Sequence, residues 1–127
     1  MQFDQISPPR KFTIGAKQQF EIMDCGKILL NKNEQVTLTT DSGGEYDLTR
    51  KDWGFYATPS LNGRLPSFGL RGVLIKNRET NRFFVLLVEK GKEPLFDDYC
   101  NVENLTVVSW LDCDEALENL GRKLEEQ

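Results

Sequence analysis

The segment from Val36 to Thr49 constrains the fold most. Val36 and Leu38 alternate with Thr37 and Thr39, and Tyr46 and Leu48 alternate with Asp47 and Thr49. Asp41-Ser42-Gly43-Gly44 lies between them. A period of two places one side-chain set on each face of a strand. Glycine reaches positive φ without a Cβ clash, so it suits the reversal. The pattern predicts an antiparallel hairpin with one wet face.

Similar short runs recur along the chain. Residues 11–16, 19–25 and 27–30 are expected as strands, with a break at Cys25-Gly26. Residues 52–58, DWGFYAT, read as an aromatic strand with Trp53 and Phe55 on one face and Tyr56 on the other. Residues 68–76 read as a strand in which Gly69 and Gly72 mark a bulge or a close backbone approach. Phe83 to Val88 is apolar on both faces, which predicts a central strand. Residues 93–99 fit a short helix with Pro94 in its first turn, and 105–111 fit a further strand. Leu117, Leu120 and Leu124 give a last helix one apolar stripe, to be used in core packing or, if uncovered, for a partner.

These elements predict a mainly β protein, all-β or α+β. It would be an antiparallel curled sheet, small barrel or sandwich with a C-terminal strand and packed helix. A cupin-like barrel is compatible in shape alone, because the metal-binding histidines usual in that family are missing. With 127 residues, one domain is expected over 11–127, preceded by an arm over 1–10 that contains Pro8-Pro9.

Asn62-Gly63 has the composition of a type I′ turn. A two-residue hairpin there would set Pro59 opposite Pro66, and proline cannot donate to the ladder. A projecting loop with Asn62-Gly63 at its tip is expected instead.

Histidine is absent. That excludes Ser-His-Asp and Cys-His nucleophile pairs and every histidine-containing metal site. It lowers the expectation of catalysis. Cys25, Cys100 and Cys113 form no C-x-x-C pair, and an odd, sparse set fits a reducing, cytoplasmic setting. The opening residues lack a secretory pattern, and no apolar run approaches a membrane span. Carboxylates around Cys100 and Cys113 fit helix capping and solvation better than a metal. From Asp112 onward an EF-hand fails, because Leu117 stands where that loop needs glycine. No phosphate-cradling glycine motif occurs, and no metal or cofactor is expected.

The net charge is −4, which disfavours nucleic acid or an anionic membrane as partner. Its distribution is uneven. Residues 50–92 carry nine basic and three acidic groups, whereas residues 93–127 carry two basic and ten acidic. Either the tail packs near the middle and the charges offset, or the middle presents cations to a small anionic ligand.

The candidate site lies in the middle stretch. Trp53 and Tyr56 offer flat faces for stacking, Asn62 offers an amide, and Arg64 and Arg71 offer guanidinium groups for carboxylate or phosphate. The leading expectation is a non-catalytic binding or accessory domain for a small polar or anionic ligand, of sugar or nucleotide-sugar type. One alternative is a histidine-free sugar or nucleotide-sugar isomerase or lyase, with Asp52 or Tyr56 as general base. Another is a protein-interaction module that assembles through its basic and acidic regions. Oligomeric state is left open.

Overall fold

Residues 1–15 and 19–126 are described by the computed structural model. The chain begins with a long hairpin, β1 (Gln2–Ile14) against β2 (Phe20–Leu29). Residues 1–10, expected as an arm, are therefore almost wholly strand. Their prolines are accommodated by a register shift between Gln5 and Arg10, where Ser7-Pro8-Pro9 loops out of the ladder. The expected break at Cys25-Gly26 falls opposite this bulge, and β2 runs straight through it. Gly26 is required there: at its φ of 143° a Cβ would sit 2.3 Å from the Asp4 carbonyl oxygen. Ala16, the end of the expected first strand, lies outside the described residues.

The second sheet holds β3 (Gln35–Thr39), β4 (Glu45–Lys51) and β5 (Gly54–Ala57) in that order. The hairpin expected over 36–49 forms as β3–β4, with Val36 opposite Leu48 and Leu38 opposite Tyr46. Trp53 does not belong to β5; it sits in the tight turn before it.

Residues 60–67 follow a different course from the one expected. They form a turn and a single-turn helix, α1 (Arg64–Ser67), rather than a projecting loop. The Ser60 hydroxyl accepts from the Arg64 N–H at 2.8 Å, and Leu65 is fully buried. The proline argument excludes a hairpin but permits a helical first turn, where a missing N–H costs nothing. Leu65 and Leu61 pack over Gly72, where a Cβ would meet the Leu61 methyl at 3.0 Å. The close approach expected at that glycine is present.

The third sheet has the order β7-β6-β8, built from β6 (Leu70–Asn77), β7 (Phe83–Glu89) and β8 (Leu105–Trp110). The expectation for Phe83–Val88 is corrected here: β6 is central and β7 lies at the edge. One face of this sheet carries the core. Val73, Ile75 and Val88 pack with Phe96 and Cys100 of α2 (Glu93–Glu103), flanked by Leu86, Leu105 and Trp110. Pro94 stands in the first turn of α2, and Asn104 ends the helix in the left-handed conformation. Burial raises the Cys100 thiol above its ordinary pKa, as for a packed sulfhydryl.

The protein is thus mainly β with antiparallel sheets, and the sheets do not close into a barrel. The last helix, α3 (Asp114–Glu125), has no buried residue, and Leu120 and Leu124 of its apolar stripe are exposed. The helix that covers the core is α2.

Candidate functional site

The structure does not bring the five sequence-selected residues into one pocket. Arg71 is occupied within the protein. Its Nε donates to Asp112 Oδ2 at 2.6 Å, its Nη2 to Asp112 Oδ1 at 3.2 Å and its Nη1 to Glu93 Oε2 at 3.3 Å. The guanidinium also lies 4.0 Å from the centre of the Trp110 ring. Bidentate pairing and stacking use the planar fork fully. The hydrogen bond from Arg71 holds Asp112 below the ordinary carboxylate pKa, and the same bond raises Arg71. A guanidinium flanked by two carboxylates attracts an anion weakly.

Asn62 donates to Asp114 at 2.7 Å, a second link from the middle stretch to the acidic tail. Of the two links, the one from Arg71 offsets charge between the basic middle and the acidic tail. Lys92 pairs with Glu89 at 3.5 Å, and Lys51 donates to Asn33.

Trp53, Tyr56 and Arg64 remain at the surface. Trp53 is 70% exposed and Tyr56 is 49% exposed. Tyr56 stands opposite Thr49, on the same sheet face as Asp47 and Thr37. Arg64 reaches that face, with Nη2 at 3.6 Å from Asp47 Oδ2 and its guanidinium over the Phe68 ring at 5.2 Å. Asp52 lies in the exposed turn beside Lys32 at 3.1 Å. The two rings of this region lie largely in water, while Asp47 beside Arg64 is buried.

A ligand-sized concavity lies elsewhere. A cavity of about 370 Å³ opens between the third sheet, the C-terminal half of α2 and the end of β1. Ile75, Phe84, Leu86 and Leu105 form its apolar walls, and Ile14 and Gly15 close one side. Asn77, Tyr99 and Glu103 supply polar groups. Tyr99 also packs against Phe20 of β2, with ring centres 5.8 Å apart. Glu103 is buried, one helical turn beyond Tyr99 on the same face of α2. Small-molecule sites commonly combine an apolar cavity of this size with a few placed polar groups.

Sequence reasoning missed this cavity because its walls come from β1, β6, β7, α2 and β8. The available signal was Tyr99 and Glu103 at helical spacing of four, beside a chain otherwise apolar at Phe84, Leu86 and Leu105. Among the described residues no group of cysteine, aspartate and glutamate side chains is arranged to hold a metal ion. Among the same residues no helix is long and apolar enough to cross a membrane. No family model, curated protein or solved structure matches this chain.

Proposed function

We propose that this chain is a non-catalytic domain that binds a small molecule in the cavity beside α2. The observation that carries this reading is the cavity itself, with apolar walls and three polar residues in its lining. The ligand has an apolar body of a few rings or branches and a hydroxyl or amino group. Its body displaces water from Phe84, Leu86 and Leu105, which favours entry by roughly 25 cal/mol for each Å² removed from water. Its polar group meets Tyr99, Asn77 and the Glu103 carboxylate. A carboxylate there selects donors over anions.

A second reading keeps the ligand on the surface around β5. The exposure of Trp53 and Tyr56 beside Arg64 favours it, because sugars stack on flat aromatic faces. Chemical-shift titration separates the two. With phenethylamine, 2-phenylethanol and a panel of monosaccharides as probes, shifts are expected at Ile75, Leu86 and Leu105. Glu103→Gln is expected to weaken the amine at least about tenfold, or about 1.4 kcal/mol. Shifts confined to Trp53 and Tyr56 with the sugars would move the site to β5. No shift at either place would remove the small-molecule reading.

A further inference from the structure

The edge strand β7 has the composition of an interior strand. Phe83, Phe84 and Val85 are 55%, 48% and 60% exposed, and Leu87 is exposed as well. Among the described residues no strand pairs with its outer edge. The ladder phase shows which backbone groups face outward. Asn77 N donates to Arg82 O at 2.8 Å, and Lys90 N donates to Gly69 O at 3.0 Å. Alternation in an antiparallel pair then directs the even-numbered residues of β7 to β6. The N–H and C=O groups of Phe83, Val85 and Leu87 point away from the sheet.

Edge strands are normally blunted by a lysine, a proline, a bulge or a covering element. Residues 83–88 contain no charge and no proline, and their register with β6 is unbroken. The opposite edge differs: β8 carries a register shift between its pairings with Leu74 and Ile75, which leaves Val108 bulged.

The total surface leaves enough area for a second copy to be that cover. Folded monomers of 14.6 kDa expose about 6,900 Å² by the usual scaling with mass. This chain exposes 9133 Å². The excess is about 2,200 Å². A standard interface takes about 800 Å² from each partner, and permanent homodimers take more. One chain therefore carries enough surplus surface for a second copy, with the exposed β1–β2 hairpin contributing to it.

We propose that two copies of this chain pair β7 with β7, antiparallel about a two-fold axis at Val85, to make one six-stranded sheet. A two-fold normal to the sheet keeps each face on its own side, so facing residues must be both odd or both even. Centring on Val85 sets Phe83 opposite Leu87 of the partner. The outward N–H and C=O groups of all three odd residues then pair, and Arg82 faces Val88. Centring on Leu86 sets Phe83 against Glu89 and Arg82 against Lys90, which opposes like charges. Val85 points to the face opposite the one that carries Phe84 and Leu86, so the pairing does not depend on the cavity reading.

Sedimentation equilibrium of the full chain tests this. The native chain is expected to be a dimer in both about 0.1 M and about 1 M salt, because the contact is apolar and hydrogen-bonded. Val85→Lys, at an exposed position, is expected to weaken the dimer at least about 100-fold by opposing two ammonium groups on the axis. Its circular dichroism and thermal midpoint report whether it folds. As a second variant, Val85→Cys in a Cys25→Ser, Cys113→Ser background is expected to cross-link across the axis with a short bismaleimide, whose reach spans the wide Cβ separation of a hydrogen-bonded pair. A native monomer, a dimer indifferent to Val85→Lys, a dimer lost in high salt or an absence of cross-linking would each overturn the proposal.

Discussion

Arg71 and Arg64 belong to one basic stretch and serve opposite ends of it. Arg71 lies between Asp112, Glu93 and the Trp110 ring, with three of its nitrogens engaged. Arg64 reaches over an exposed face to a single carboxylate at 3.6 Å. The first end is where β6, α2 and the segment after β8 meet. The second end borders β5, with Trp53 and Tyr56 in water. The same residue type thus joins elements in one place and decorates a surface in the other. Local composition cannot distinguish them, because the difference is made by which acidic segment returns to each.

Substitution separates the two arginines. Arg71→Ala is expected to cost about 2–3 kcal/mol, since it strands two partly buried carboxylates and uncovers the Trp110 ring. Urea unfolding should show a lower midpoint with an unchanged slope. A loss under about 0.5 kcal/mol would mean that Arg71 is as dispensable as a surface cation.

Acid sharpens the contrast next. Asp112 titrates below its unfolded value because Arg71 donates to it. A depressed carboxylate contributes stability above its unfolded pKa, and that contribution falls away as pH drops through the folded pKa. The native chain is therefore expected to lose stability steadily below about pH 4. Asp112→Asn should be less stable at neutral pH and should show a shallower acid limb. An acid limb of unchanged steepness would assign the effect to other carboxylates.

The smallest effect is expected at the other end. Trp53→Ala should change stability by less than about 0.5 kcal/mol, because the ring is 70% exposed in a turn. A drop above about 1 kcal/mol in thermal or urea unfolding would show that this ring is covered in solution.

The β3–β4 hairpin was legible in the sequence as two alternating strands around a glycine turn. Alternation and a glycine turn are local signals that locate the strands but do not set burial: Asp47 on the polar face is buried, and Leu38 on the apolar face is 51% exposed. The strand class of Phe83–Val88 was legible too, but its position was not. Apolar residues on both faces mark a strand, and they do not say whether it lies at the centre or the edge of its sheet. Residues 60–67 were misjudged because facing prolines exclude one local structure without selecting another. The pairing of Arg71 with Asp112 joins residues 41 positions apart. No periodicity reports a contact of that kind. The same holds for the cavity, whose walls come from five elements.

Gly72 has an evolutionary consequence. Its missing Cβ is the space that the Leu61 methyl and the fully buried Leu65 use to seat α1 on β6. The two positions 61 and 72 are therefore linked in descent. A lineage that gains alanine at 72 must shorten or turn the side chain at 61, or lift the whole 60–67 turn from the sheet. Sequences that keep glycine at 72 are free to keep a large residue at 61. Covariation between these two columns would trace the docking of α1 through any set of relatives, without reference to what the domain binds.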